Sequence, residues 1–253
     1  MVGSRRVPEG PAPDPAVQKL RIRYAKRGRM RFTSTRDFQR ALERAVRKAG
    51  LPMAYSAGFH PHPKISYANA APTGAASEAE YVEISLTSSV EPESVRADLD
   101  AALPEGLDVV EVADAAELPG ALADHLQGSL WALRFRGAGE EPGRDAVESA
   151  VQAFLGTEEL HVTRMMKKGP RELDVRGAVL AMTVPGDVPP EVPAAPGDVV
   201  VLATVRHTTP TVRPEEIWGA LRQVGGLELR RPVSTRLRQG PLQGAEVAAS
   251  LAG

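Results

Sequence analysis

From Ser34 to Gly50 the chain has little freedom of local structure. Phe38, Ala41, Leu42, Ala45, Val46 and Ala49 recur at the three- and four-residue spacing that gathers them on one face of an α-helix. Arg36, Arg40, Arg44 and Arg47 fall on the opposite face. Ser34, with Asp37 three residues on, is a capping-box-like start, and Gly50 supplies the stop. So one-sided a helix must lay its apolar stripe on another element, and the flanking sequence provides one. Leu20, Ile22 and Tyr24 alternate with Arg21 and Arg23, which predicts a half-buried strand with a basic polar face.

The same reading carried along the chain gives a repeating order. After a turn at Lys26–Arg29, the predicted helix leads into a loop of Gly, Pro and His. Strands are expected at Lys64–Asn69 and Tyr81–Thr87, a helix at Glu91–Leu103 opening with Pro92, and a strand at Leu107–Val112. Strand, helix, strand, strand, helix, strand is the split βαβ or ferredoxin-like order. A looser echo follows: strand Leu130–Arg136, helix Arg144–Leu155, strands Leu160–Met166 and Val175–Val184, a Pro-rich loop at 185–197, strand Val199–Arg206, helix Pro214–Val224 and strand Leu227–Arg236. His207 reads as part of a loop leading to a helix capped by Thr211. The expected fold class is therefore α+β, with two ferredoxin-like (split βαβ) units built on antiparallel sheets. Residues 1–18 form a disordered Pro-rich N-terminal arm, 19–115 the first unit, 128–240 the second, and 241–253 a flexible tail.

Charge is segregated although the formal net is only -1. Residues 19–50 hold twelve Lys/Arg against Asp37 and Glu43, a net of +10, and residues 78–124 hold thirteen Asp/Glu against Arg96, a net of -12. Such asymmetry serves either a polyanionic partner or contact between the protein's own halves. The chain has no cysteine, which rules out disulfides, thiolate zinc sites and a cysteine-held iron–sulfur cluster within it. No apolar run reaches membrane-spanning length, so a soluble cytoplasmic protein without membrane contact is expected.

Two constellations carry the functional expectation. Guanidiniums about one helical turn apart offer forked donors for phosphate oxygens, and Arg21, Arg23, Arg36, Arg40, Arg44, Arg47 and Lys64 are the candidate nucleic-acid contacts. Seven of the eleven aromatics lie in the same third of the chain, a mixture that suits single-stranded RNA. A solvated basic face, or one paired with the acidic helix at 91–103, is the competing reading. The second constellation is the loop Gly58-Phe59-His60-Pro61-His62-Pro63-Lys64, where prolines keep the backbone extended. Phe59, Pro61 and Pro63 are expected to brace it, with Tyr55 or Tyr67 packed beneath. His62 is expected close to Asp37 at the helix start, the pair being acid–base candidates if the protein is an enzyme. Lys167, Lys168 and Arg171 mark a second basic turn.

The residues Arg31-Phe32-x-Ser34-x-x-Asp37, Arg44 to Gly50, Ala54-Tyr55-Ser56-x-Gly58-Phe59-x-Pro61-His62-Pro63-Lys64-Ile65-Ser66, Gly74 and Ser77-Glu78-Ala79-Glu80-Tyr81 resemble the radical-SAM-associated protein family, a bacterial family of unknown function. His62 matches the loop histidine of that pattern, while Thr35 stands where the pattern has a histidine at the helix start. The resemblance implies a separately encoded radical-SAM protein as partner and a setting linked to RNA or the ribosome. The expectation is a non-catalytic accessory protein that binds RNA or a ribosomal component and holds no cofactor and no metal of its own. Alternatives are an RNA-processing or RNA-modifying enzyme using Asp37 and His62, and a protein–protein interaction module. No recognised catalytic motif is present.

Overall fold

The computed structural model describes residues 13–117, 120–137, 143–226, 230–248 and Leu251. Strand β1 (Gln18–Lys26) leads through a short 3-10 turn (Gly28–Phe32) into helix α1 (Thr35–Lys48). Then come β2 (Ile65–Ala68), β3 (Ala76–Leu86), α2 (Pro92–Ala102) and β4 (Val109–Asp114). A 3-10 turn at Ala115–Glu117 and a single helical turn, α3 (Leu122–His125), connect to β5 (Gly128–Phe135) and α4 (Arg144–Leu155). The second half continues with β6 (His161–Met166), β7 (Gly169–Asp174), α5 (Val175–Ala178), β8 (Val179–Thr183), β9 (Val199–Arg206), α6 (Pro214–Gly225) and β10 (Val233–Gly240). The short strands β11 (Leu242–Gln243) and β12 (Glu246–Val247) follow.

The chain is an α+β protein whose sheets are dominated by antiparallel pairing. In the first half β1 pairs with β4 on one side and β3 on the other, and β2 lies outside β3, all antiparallel. The second half repeats that order: β5 lies between β10 and β9, and β8 lies outside β9, again antiparallel. Both orders are compatible with split βαβ units. The boundary between the units does not separate two sheets, however. β3 has 11 residues, long enough for β2 to pair with Tyr81–Ile84 while β10 runs parallel to Ala76 and Ser77 further along. That pair joins the halves into one eight-stranded sheet.

Each half has its own core. Leu20, Ile22 and Tyr24 meet Phe38, Leu42 and Val46 of α1 with Val95 and Leu99 of α2. Trp131, Leu133 and Val201 meet Val151 and Phe154 of α4 with Ile217 and Leu221 of α6. Ala71 and Ala75, from the loop before β3, are buried in this second core, so the first half lends atoms to it. Tyr24 stacks on Phe38 at 4.1 Å between centroids, and Tyr67 meets Phe38 edge-on.

α1 begins as its sequence requires: the Ser34 hydroxyl accepts from the Asp37 amide at 3.2 Å and donates to its carboxylate. Gly50, at φ +65°, takes the left-handed conformation that ends it.

Several expectations are corrected. β1 is not half-buried: residues 120–123 and Tyr81 lie on its polar side, and Arg21 is nearly as buried as Leu20. Residues 175–184 divide into a helical turn and a strand, because the Asp174 carboxylate caps the Gly177 amide and Arg176 donates to the carbonyls of Thr157 and Val179. β6 and β7 form a hairpin of their own beside the main sheet. The last long strand is Val233–Gly240, not Leu227–Arg236, of which residues 227–229 lie outside the described residues. α6 is capped at Arg213 rather than Thr211, with Pro214 opening it. Gln18, assigned to the arm, opens β1, and residues 1–12 lie outside the described residues. The stretch 241–253 contains the β11–β12 hairpin, and Leu251 is buried against Leu122 and Leu126.

Candidate nucleic-acid interface

α1 presents Arg36, Arg40, Arg44, Arg47 and Lys48 to solvent. Arg36, Arg40 and Arg44 are about 6 Å apart along the helix axis at its 1.5 Å rise. Among the described residues, none of these three forms an ion pair or hydrogen bond through its guanidinium, and Arg47 donates only to the Glu43 carbonyl within the helix. The cations of β1, and Arg27 just after it, behave differently. Lys19 and Arg21 share Glu83, Arg23 pairs with Glu111 at 3.1 Å, and Arg27 pairs with Glu78 and Asp108. The acidic segment thus neutralises the strand and leaves the helix. α2 does not compensate α1: Glu93 pairs with its own Arg96, and Asp100 accepts the Val109 amide.

The candidate contacts therefore separate into two groups. Arg36, Arg40, Arg44, Arg47 and Lys64 are exposed, and the α1 arginines form one stripe. Arg21 is 2% exposed, bonded to the Glu83 carboxylate and the Gly120 carbonyl, and cannot meet a ligand without breaking the sheet face. Arg23 is half-buried in its own ion pair. Alternation put both on one strand face with no means of showing that carboxylates from β3 and β4 would land beside them.

The His/Pro loop leaves the sheet edge after Ala54 and returns at Lys64. The Lys64 amide donates to the Ala54 carbonyl, and the Ser56 and His62 residues are tied by two hydrogen bonds. The bracing differs from the expectation, with Tyr55 and Pro63 joined by a backbone bridge across the base of the loop. Phe59 is 63% exposed at the tip beside Gly58, and Tyr67 packs on Phe38 instead of under the loop. Asp37 is bonded to Ser34 at the start of α1, and no hydrogen bond or ion pair links it to His62 among the described residues. No cluster of His, Cys, Asp or Glu among the described residues could hold a metal ion.

A feature that sequence reasoning did not find lies at the seam of the halves. A cleft of about 700 Å³ opens between Arg31, Phe32 and Thr35 before and at the start of α1, the loop 70–75, Arg213 to Glu215 at the start of α6, and residues 231–234. Thr35, at the position where the resemblance implies a histidine, lines it. Behind it, Glu80, Arg236 and Lys26 are buried together. Arg236 lies 3.4 Å from Glu80, donates to the Asn69 carbonyl at 2.7 Å and sits over the Trp131 ring. Glu80 also accepts the Ala71 amide, and Lys26 reaches the Ala71 carbonyl. Burial holds both Lys26 and Arg236 below their ordinary pKa values, an effect that the neighbouring Glu80 opposes. Glu80 and Arg236 are 156 positions apart, so no local pattern signals the pair.

Fold and site together define a class of protein: tandem α+β units fused through one sheet, with a basic helix face leading to a cleft at the seam. The chain belongs to the bacterial family described as "uncharacterized protein conserved in bacteria (DUF2344)", whose model matches residues 19–214. No curated protein matches it. No helix among the described residues is long and apolar enough to cross a membrane.

Proposed function

We propose that this chain is a non-catalytic accessory protein that binds RNA, or an RNA-bearing ribosomal component, through the arginine stripe of α1. The observation that carries this reading is the contrast within one basic segment: Lys19, Arg21, Arg23 and Arg27 are paired, while Arg36, Arg40 and Arg44 are exposed and meet no partner among the described residues. A helix face left charged when acid is plentiful nearby suits a polyanion, whose condensed counterions are released on contact. The resemblance to radical-SAM-associated proteins adds a protein partner: a separately encoded radical-SAM enzyme, which would supply the iron–sulfur cluster that a chain without cysteine cannot hold.

RNA affinity measured from low to moderate salt tests the stripe. Four phosphate contacts to a single strand give a slope of log affinity against log salt of about -3, and Arg40→Glu with Arg44→Glu lowers its magnitude by about 1.4. Binding that is absent at low salt, or unchanged in the double variant, removes the RNA reading. A protein-interaction reading is favoured by one specific observation, the exposure of Phe59 and Tyr55 on the His/Pro loop. Co-purification with the radical-SAM enzyme, compared between the native chain and Phe59→Ala, separates it from RNA binding. For the acid–base reading, no hydrogen bond or ion pair among the described residues joins Asp37 to His62.

A further inference from the structure

We infer that the cleft at the seam is a nucleotide pocket, which takes one unpaired nucleotide of an RNA whose backbone follows the α1 stripe. In that form it rests on the RNA reading above. At about 700 Å³ the space is of the size that holds small ligands. Among the described residues its charged lining is Arg31, Arg213 and Arg231 against Glu215, a net positive lining. Glu215 and Arg231 lie 3.3 Å apart with both side chains more than half exposed, so their pairing is weak and yields readily to a phosphate.

The Arg31 Nε is buried and makes no hydrogen bond among the described residues, so a cation beside the cleft keeps one donor without an acceptor. α1 and α6, of 14 and 12 residues, both turn their N-terminal ends to this cleft, and both dipoles favour an anion there. An inorganic anion needs no more than this. Phe32 points to a nucleotide: it lines the cleft at 59% exposure, with the Arg31 guanidinium 4.6 Å from its ring centroid, and a flat surface already backed by a cation is a platform for a base. Thr35 lines the cleft and Arg36 begins the stripe, so a strand lying on α1 arrives at the pocket.

The test compares an oligouridylate with an abasic oligoribonucleotide of equal length, by fluorescence anisotropy, in native protein and in Phe32→Ala, Arg231→Gln and Arg40→Glu/Arg44→Glu variants. Far-UV circular dichroism confirms that each variant folds. The native protein is expected to prefer the base-bearing strand by about tenfold, the scale of one stacked base. Phe32→Ala should erase that preference and leave the salt slope unchanged, whereas the stripe variant should weaken both strands alike. Equal affinity for the two strands with the slope intact overturns the pocket and leaves the stripe standing. If neither strand binds, the stripe reading fails, and titration with uridine 5′-monophosphate decides the pocket by itself. Saturable binding lost in Phe32→Ala and Arg231→Gln keeps it as a site for free nucleotide; no saturable binding overturns it.

Discussion

His207 lies with Nε2 2.8 Å from the Ser129 hydroxyl and Nδ1 against the Leu126 carbonyl. Burial, more than any other cause, pushes its pKa down from 6.5 to about 4. Between those values the unfolded chain binds a proton that the folded protein refuses, so the contribution to stability is complete above about pH 6.5 and is lost as pH falls toward 4. At 1.36 kcal/mol per unit, it reaches about 3 kcal/mol. His207→Gln should flatten the dependence of urea stability on pH in that window, and equal slopes for native and variant protein would refute the assignment. The Ser129–His207 contact is structural, because Ser129 is itself 1% exposed and closed to substrate. Arg236 shows the other consequence of burial. Arg236→Ala removes the ion-pair partner of the buried Glu80 carboxylate and leaves Lys26 as its neighbouring cation; it should cost about 3 kcal/mol, while Arg236→Met with Glu80→Gln should recover most of it. Urea midpoints of the single and double variants decide the matter.

α1 combines two separable properties on one element. Its inner face holds the first core together, and its outer face is exposed arginine. Arg40→Glu with Arg44→Glu should therefore leave the melting temperature within a few degrees of native, since single surface changes stay within about 0.5 kcal/mol. Ser34→Ala should lower stability by about 1 kcal/mol through loss of the N-cap while leaving the stripe in place, so RNA affinity measured on the folded variant should be unchanged. If the stripe variant instead melts far below native, the arginines are structural and the binding argument loses its base. The β6–β7 hairpin is another element with two ends. Arg164 anchors it to Glu216 and the Thr211 carbonyl, while Met165, Met166, Lys167, Lys168 and Arg171 are exposed toward its tip.

The two units share a sheet, and that governs how the whole molecule unfolds. β10 hydrogen-bonds to β3, Gln239 donates to the Ala79 carbonyl, and Ala71 and Ala75 fill the opposite core. Separating the halves would expose Glu80 and Arg236 to loss of each other. Cooperative unfolding is expected, and the sequence supplies convenient reporters: all four tyrosines lie in the first half and both tryptophans in the second. Near-ultraviolet tyrosine signal and tryptophan fluorescence should lose native structure at the same urea concentration. Two separated midpoints would show that the seam does not couple them.

What the sequence determined was whatever depends on neighbours along the chain. The 3.6-residue period from Phe38 to Ala49 established α1 and its arginine face, Ser34 and Gly50 set its ends, alternation located β1, and β5 and β9 were placed within two residues. The α+β class was legible for the same reason. Tertiary structure alone decided the pairing of distant charges. Arg21 and Arg36 look alike in sequence, but β3 brings Glu83 to one and nothing described meets the other. The extension of β3 back to Ala76 could not be read from Gly, Ala and Ser, because its strand character comes from the partners on its two edges, β1 and β10. The cleft required both halves in register, since Arg31 and Arg231 come together only after two hundred intervening positions have folded. A periodic pattern encodes which face of an element is buried; which charge meets which, and where a cavity remains, follows from the packing of those faces.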